Sequence, residues 1–91
     1  MSSDCTITGW DIGGAHVKAA RVERGRVTGV VQVACPLWQG LDKLDAAVAQ
    51  ARAALGDTRH HAVTMTGEMV DLFDSRAAGV VAIVERLTAA L

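Results

Sequence analysis

The stretch Asp11-Ile12-Gly13-Gly14-Ala15 gathers residue types that can grip phosphate. Glycines let a backbone approach an anion closely and accept positive φ, so several N–H groups can point at one phosphate. An aspartate at the end of a strand can hold Mg²⁺, commonly through water. Lys18, a few residues on, can add a positive charge. The plain alternative is a tight β-turn with Gly13 and Gly14 at its tip and Asp11 bonded to the turn backbone. Short glycine-rich turns are common, so the pattern by itself leaves both readings open.

A second stretch with chemical potential is Thr64-Met65-Thr66-Gly67-Glu68, followed by Asp71. Thr64 and Thr66 point to the same face of a strand. Gly67 ends that strand, and Glu68 and Asp71 then fall on one side of a helical turn. Two carboxylates at the C-terminal end of a parallel strand suit metal binding or proton transfer. The alternative is a helix start capped by Thr66 or Gly67, with Glu68 favoured by the helix dipole; acidic first turns are common, which weighs toward that simpler account. The remaining ligand-type residues carry less. His60 and His61 are neighbours on a strand and face opposite sides, so they do not easily share a metal, and His16 stands alone. Cys5 and Cys35 read as small core residues. Trp38 sits in a loop with Pro36, either as the wall of a pocket or as a plug over the sheet.

These stretches need elements to position them. The alternation in CTITGWDIG predicts a strand near Cys5 to Asp11, and HVKAARVE predicts a second. Arg24-Gly25 is a two-residue turn, and RVTGVVQVAC is a third strand. After the loop PLWQG the period changes: Leu41, Leu44, Val48, Ala51 and Leu55 fall at helical spacing, and Gly56 stops the helix. HHAVTMTG is the fourth strand, EMVDLF a short helical turn, and Asp74 or Ser75 caps a last helix with Val80, Ile83, Val84, Leu87 and Leu91 on one face. A helix between strands three and four implies a crossover, so strand four lies parallel to another strand. The order βββαβα predicts an α/β fold with a mixed sheet, the opening of a ribonuclease H-like half-domain spanning residues 1–91. Strand four would then be an apolar edge, an invitation to pair with another chain. The expectation is that this is the N-terminal part of a longer protein, with the rest of the domain and a second domain absent, or that a partner covers that edge.

Bulk composition agrees with a globular core. Apolar residues make up 51% of the 91 residues and charged ones 21%, while aromatics reach only 3%, so the core is built from Ala, Val, Leu and Ile. A net charge of −1 without a basic run argues against nucleic acid or an anionic membrane as the main partner. Two cysteines are too few for a disulfide framework, and no signal peptide or membrane-length apolar run is visible, so the cytoplasm is the expected compartment.

Three segments, GWDIGGAHVKAA, CPLWQGLDKLDAA and AVTMTGEMVDLFDSRAAGV, together resemble the N-terminal part of the hydantoinase/oxoprolinase-related proteins. More narrowly, they are similar to proteins assigned to tetrahydromethanopterin-linked one-carbon transfer in methylotrophic bacteria, whose archaeal relatives are methanofuran-biosynthesis synthases. The resemblance implies an actin/hexokinase/Hsp70-type architecture, in which two ribonuclease H-like domains close over a phosphate-bearing ligand. It implies phosphate contacts at Asp11, Gly13, Gly14 and Ala15, with Thr66 beside them; the residue types themselves add Lys18 and a Mg²⁺ at Asp11. It implies cleft residues at Thr66, Glu68 and Asp71, the two carboxylates being the catalytic candidates. That superfamily commonly has Thr or Ser after the two glycines; Ala15 removes the hydroxyl and weakens an ATP phosphotransferase reading. Family members are several times longer, and their second phosphate loop, adenosine site and second domain have no counterpart here. The implied activity is a transferase that joins a furan diphosphate to a tyramine-type phenol, with these residues inactive alone. An ATP-dependent kinase, an amide-ring hydrolase of the same superfamily and a non-catalytic binding module are the rival readings.

Overall fold

The structure is a computed structural model that describes residues 6–70 and 72–91, so Cys5 and Asp71 lie outside the described residues. It opens with a meander of β1 (Thr6–Ile12), β2 (His16–Glu23) and β3 (Arg26–Ala34). Arg24 and Gly25, with φ of 52° and 78°, both take the left-handed conformation that a two-residue hairpin turn requires. The chain continues through a 3-10 turn (Leu37–Gln39), α1 (Asp42–Leu55), β4 (His60–Met65), a second 3-10 turn (Gly67–Met69) and α2 (Arg76–Ala90). The four strands form one sheet in the order β3-β2-β1-β4. β1 runs antiparallel to β2 and parallel to β4, so the chain is α/β with a mixed sheet. β4 is an edge, as the βββαβα order implies.

One face of the sheet is closed and the other open. Thr8, Trp10 and Ile12 of β1, Val17 and Ala19 of β2 and Val33 of β3 are buried in a core completed by Leu44, Ala47, Val48 and Ala51 of α1 and Ile83 and Leu87 of α2. The alternate residues Ile7, Asp11, Lys18, Val30, Ala62 and Thr64 are exposed. Period-two alternation therefore reports one covered face, with both helices on it. No helix among the described residues is long and apolar enough to cross a membrane.

Hydrogen bonds tie the layers at their rims. Arg21 reaches from β2 to the Leu55 carbonyl at the end of α1, at 2.8 Å. Arg52 of α1 donates to the Ala90 carbonyl at the end of α2, and Arg86 pairs with Asp45 across the two helices. Gly56 follows α1 with φ of 80°, the expected stop. Ser75 caps α2, its Oγ accepting from the Ala78 N–H at 3.1 Å.

The buried line of α2 differs from the expected one. Gly79, Ile83 and Leu87 face the core, whereas Val80 and Val84 are exposed. A Cβ on Gly79 would lie 2.9 Å from both Cα and Cβ of Glu68 and 2.8 Å from the Phe73 ring. The helix turns its glycine inward because only a bare Cα lets it come so close to the second 3-10 turn, and this rotates the two valines outward.

Gly79→Ala is therefore expected to destabilise the fold. The overpacking cost of about 1–3 kcal/mol exceeds the helix-propensity gain of up to about 1 kcal/mol. Urea denaturation checks this; an unchanged or higher midpoint would mean that α2 shifts without cost.

A second prediction comes from the indole of Trp10, which donates to His61 Nδ1 at 3.0 Å beneath the sheet. That nitrogen must be unprotonated to accept, because an indole N–H is only a donor. Burial lowers the imidazole pKa from its ordinary 6.5, and the nearby Arg52 charge lowers it further. The folded state thus holds the neutral form, so the contribution of His61 is complete above pH 6.5 and is lost as pH falls through the lowered value. The melting temperature should drop on acidification below pH 6.5, and His61→Gln, which keeps an acceptor without titrating, should flatten that drop.

Candidate phosphate-binding site

Parallel pairing of β1 with β4 matches Asp11 with Thr64 and Ile12 with Met65, so both strands end at the same edge of the sheet. The two expected loops therefore meet. The Thr66 N–H donates to the Ile12 carbonyl at 2.8 Å, and a Cβ on Gly67 would lie 3.3 Å from the Gly13 carbonyl. Between them lies a cavity of about 250 Å³ lined by Asp11, Gly13, Gly14, Ala15, His16, Lys18 and Thr66. Six of these seven are the residues expected to contact phosphate or metal. His16 is the addition; its place directly after the loop, at the first position of β2, is the signal that would have included it.

The loop itself is built differently from a positive-φ phosphate nest. Neither Gly13 nor Gly14 has positive φ. Their bareness serves close packing instead: a Cβ on Gly14 would sit 2.7 Å from Val70 Cγ1, and one on Gly13 would sit 3.1 Å from the His16 carbonyl. The Gly13 N–H already donates to that carbonyl at 2.9 Å. The Gly14 and Ala15 carbonyls accept from Leu37 and Cys35 at 3.2 and 2.8 Å, which anchors the loop from below. The N–H groups of Gly14 and Ala15 have no backbone partner among the described residues. They are the donors left for an anion.

Charge is arranged to suit one. Lys18 lies directly across from Asp11 on the neighbouring strand, both exposed on the open face of the sheet. No ion pair within 4.0 Å joins them. The ammonium can therefore meet an anionic ligand while the carboxylate meets a cation. No group of three or more His, Cys, Asp or Glu side chains among the described residues can hold a metal. A Mg²⁺ at Asp11 would take one protein carboxylate and complete its shell with water and ligand oxygens, the usual mode for this ion beside phosphates.

The two catalytic candidates do not join this cavity. Asp71 lies outside the described residues. Glu68 is only 8% exposed and packs against Gly79 of α2. Its Oε2 is buried with no hydrogen-bond partner among the described residues. A carboxylate oxygen in that setting is costly, and the pattern that suggested an exposed first-turn acid carries no sign of it. Of the cysteines, Cys35 is fully buried and free, and burial pushes its thiol pKa up. That is an inert core residue, as expected.

Glu68→Met is expected to raise stability by about 1–2 kcal/mol, because it removes a buried acceptor that nothing satisfies. Chemical denaturation checks it. A loss of stability would mean that the carboxylate has a partner in the native protein.

No family model matches the chain, and no curated protein matches it.

Proposed function

We propose that the chain binds a phosphate- or diphosphate-bearing small molecule with Mg²⁺, as the N-terminal part of a ribonuclease H-like domain of the actin/hexokinase/Hsp70 type. The observation that carries this is that Asp11, Gly14, Ala15, Lys18 and Thr66 line one cavity, with the Gly14 and Ala15 N–H groups lacking a backbone partner among the described residues. The sheet order β3-β2-β1-β4, with both loops at the C-terminal ends of the parallel pair, supports the ribonuclease H-like assignment. Ligands in open α/β sheets gather at that end.

The specific reading is a cytoplasmic hydantoinase/oxoprolinase-related protein of tetrahydromethanopterin-linked one-carbon metabolism, resembling the methanofuran-biosynthesis synthases. In such a condensation the phenol oxygen attacks the carbon that bears diphosphate, the carbon–oxygen bond to diphosphate breaks, and the phenol proton passes to a base. Lys18 and the Gly14 and Ala15 amides would hold the departing diphosphate and stabilise its growing charge. Asp11 would hold Mg²⁺, which supplies further charge neutralisation. Of the two carboxylates, Glu68 is buried away from the cavity, so the role of orienting the acceptor or taking its proton would fall to Asp71. Ala15 supplies no hydroxyl ligand, which weighs against a kinase.

A second reading, a non-catalytic assembly module, draws on the β4 edge. That strand, His60–Met65, carries no Lys, Glu, Asp or Pro to discourage pairing. Either the remainder of a longer chain or another protein would cover it.

Asp11→Ala in the intact protein should abolish Mg²⁺-dependent diphosphate release, measured by enzymatic detection of diphosphate. Retained turnover would overturn the synthase reading, and a stable oligomer indifferent to Mg²⁺-diphosphate would favour the assembly module.

A further inference from the structure

The phosphate reading leaves unassigned the residues that hold the rest of the ligand. Beside the anion cavity lies a second one of about 540 Å³, lined by Trp38, Met69, Val70 and Leu72. Its residues are large, apolar and open to solvent: Trp38 is 54% exposed, Met69 63% and Leu72 39%. None of these lining residues is charged.

The two cavities share a wall. Gly14 lines the first and Val70 the second, and the Gly14 Cα stands so close to Val70 that a Cβ would approach it to 2.7 Å. Leu37, the neighbour of Trp38, donates its N–H to the Gly14 carbonyl at 3.2 Å. The glycine is thus a low sill between an anion-binding recess and an apolar shelf. The shelf comes from two single 3-10 turns, Leu37–Gln39 and Gly67–Met69, with Val70 and Leu72 after the second. Its volume lies in the range of small-molecule pockets. An indole face and a thioether favour a flat, polarisable group.

We infer that the site takes a two-part ligand, with its phosphate at Asp11, Lys18 and Thr66 and a flat apolar group on Trp38, Met69 and Leu72. This rests on the phosphate reading above. Of the two readings of Trp38, pocket wall or plug over the sheet, this takes the first and makes it the residue that selects what the phosphate is attached to. The large exposed area of an indole in a loop is otherwise a cost in solubility, and a ring-bearing ligand covers it.

The test compares two monoesters of the same charge, benzyl phosphate and methyl phosphate, by calorimetric titration of the intact protein in Mg²⁺ buffer. Benzyl phosphate should bind about tenfold more tightly. Trp38→Ala should bring the two affinities together while leaving that for methyl phosphate unchanged, and circular dichroism should show an unaltered fold. Leu72→Ser should act in the same direction. Equal binding of the two esters by the parent protein would overturn the apolar subsite and leave the phosphate reading standing, as would a preference that survives in both variants. Binding of neither ester would overturn the phosphate reading itself. A shift from dimer to monomer in Trp38→Ala would assign the shelf to a second copy of the chain and also overturn the proposal.

Discussion

The parallel pairing of β1 with β4 is the constraint on which the rest depends. Six residues of each strand are matched, from Ile7 with His60 to Ile12 with Met65. Antiparallel pairing of the same strands would send the Gly13-Gly14 loop and the Thr66-Gly67 loop to opposite ends of the sheet. The crossover through α1 makes parallel pairing possible, and α1 can make it only because its Leu44, Val48 and Ala51 bury against β2 and β3. The helix that follows the meander therefore works at a distance from the Gly13-Gly14 loop, by setting the direction of a strand it does not lie on.

Around that edge, two economies are visible. The backbone groups of residues 12 to 15 are mostly used for anchoring, through bonds to Leu37, Cys35, Thr66 and His16. Only two amides remain for a ligand, and they are held by a loop that has little freedom left. The charges follow the opposite logic. Asp11 and Lys18 stay exposed and unpaired with each other, although their strands match them. A pair at the surface would stabilise the fold by less than about 1 kcal/mol, so leaving it unmade costs the protein little and keeps two charges ready for use.

The sequence disclosed the strands well because its punctuation is chemical. Arg24-Gly25 demands a left-handed turn, Gly56 stops a helix, and alternation marks one buried face. The gathering of the six residues expected to contact phosphate or metal was legible for the same reason, since they lie on or beside two loops that a parallel crossover brings together. What was not legible depends on close packing against neighbouring segments, which residue types alone do not reveal. Gly13 and Gly14 look like conformational glycines but act as steric ones. Gly79 does not look like a core residue, so the expected face of α2 took in Val80 and Val84, which are exposed, beside Ile83 and Leu87, which are buried as expected. Glu68 looks like a helix-start acid and is instead nearly buried, because α2 closes over it. In each case the deciding partner (Val70, Phe73 or α2 itself) comes from another element.

The contact between Gly14 and Val70 also bears on how such a loop can change over generations. Its glycine is fixed by volume rather than by dihedral angle, so any larger side chain is barred while Val70 stands and becomes admissible once that side chain shrinks. Mutational drift in the loop therefore has an order: position 70 must give way before position 14. A hydroxyl at position 15, by contrast, meets no such gate, because Ala15 is exposed. The replacement with the greatest chemical effect is thus the one the packing leaves open.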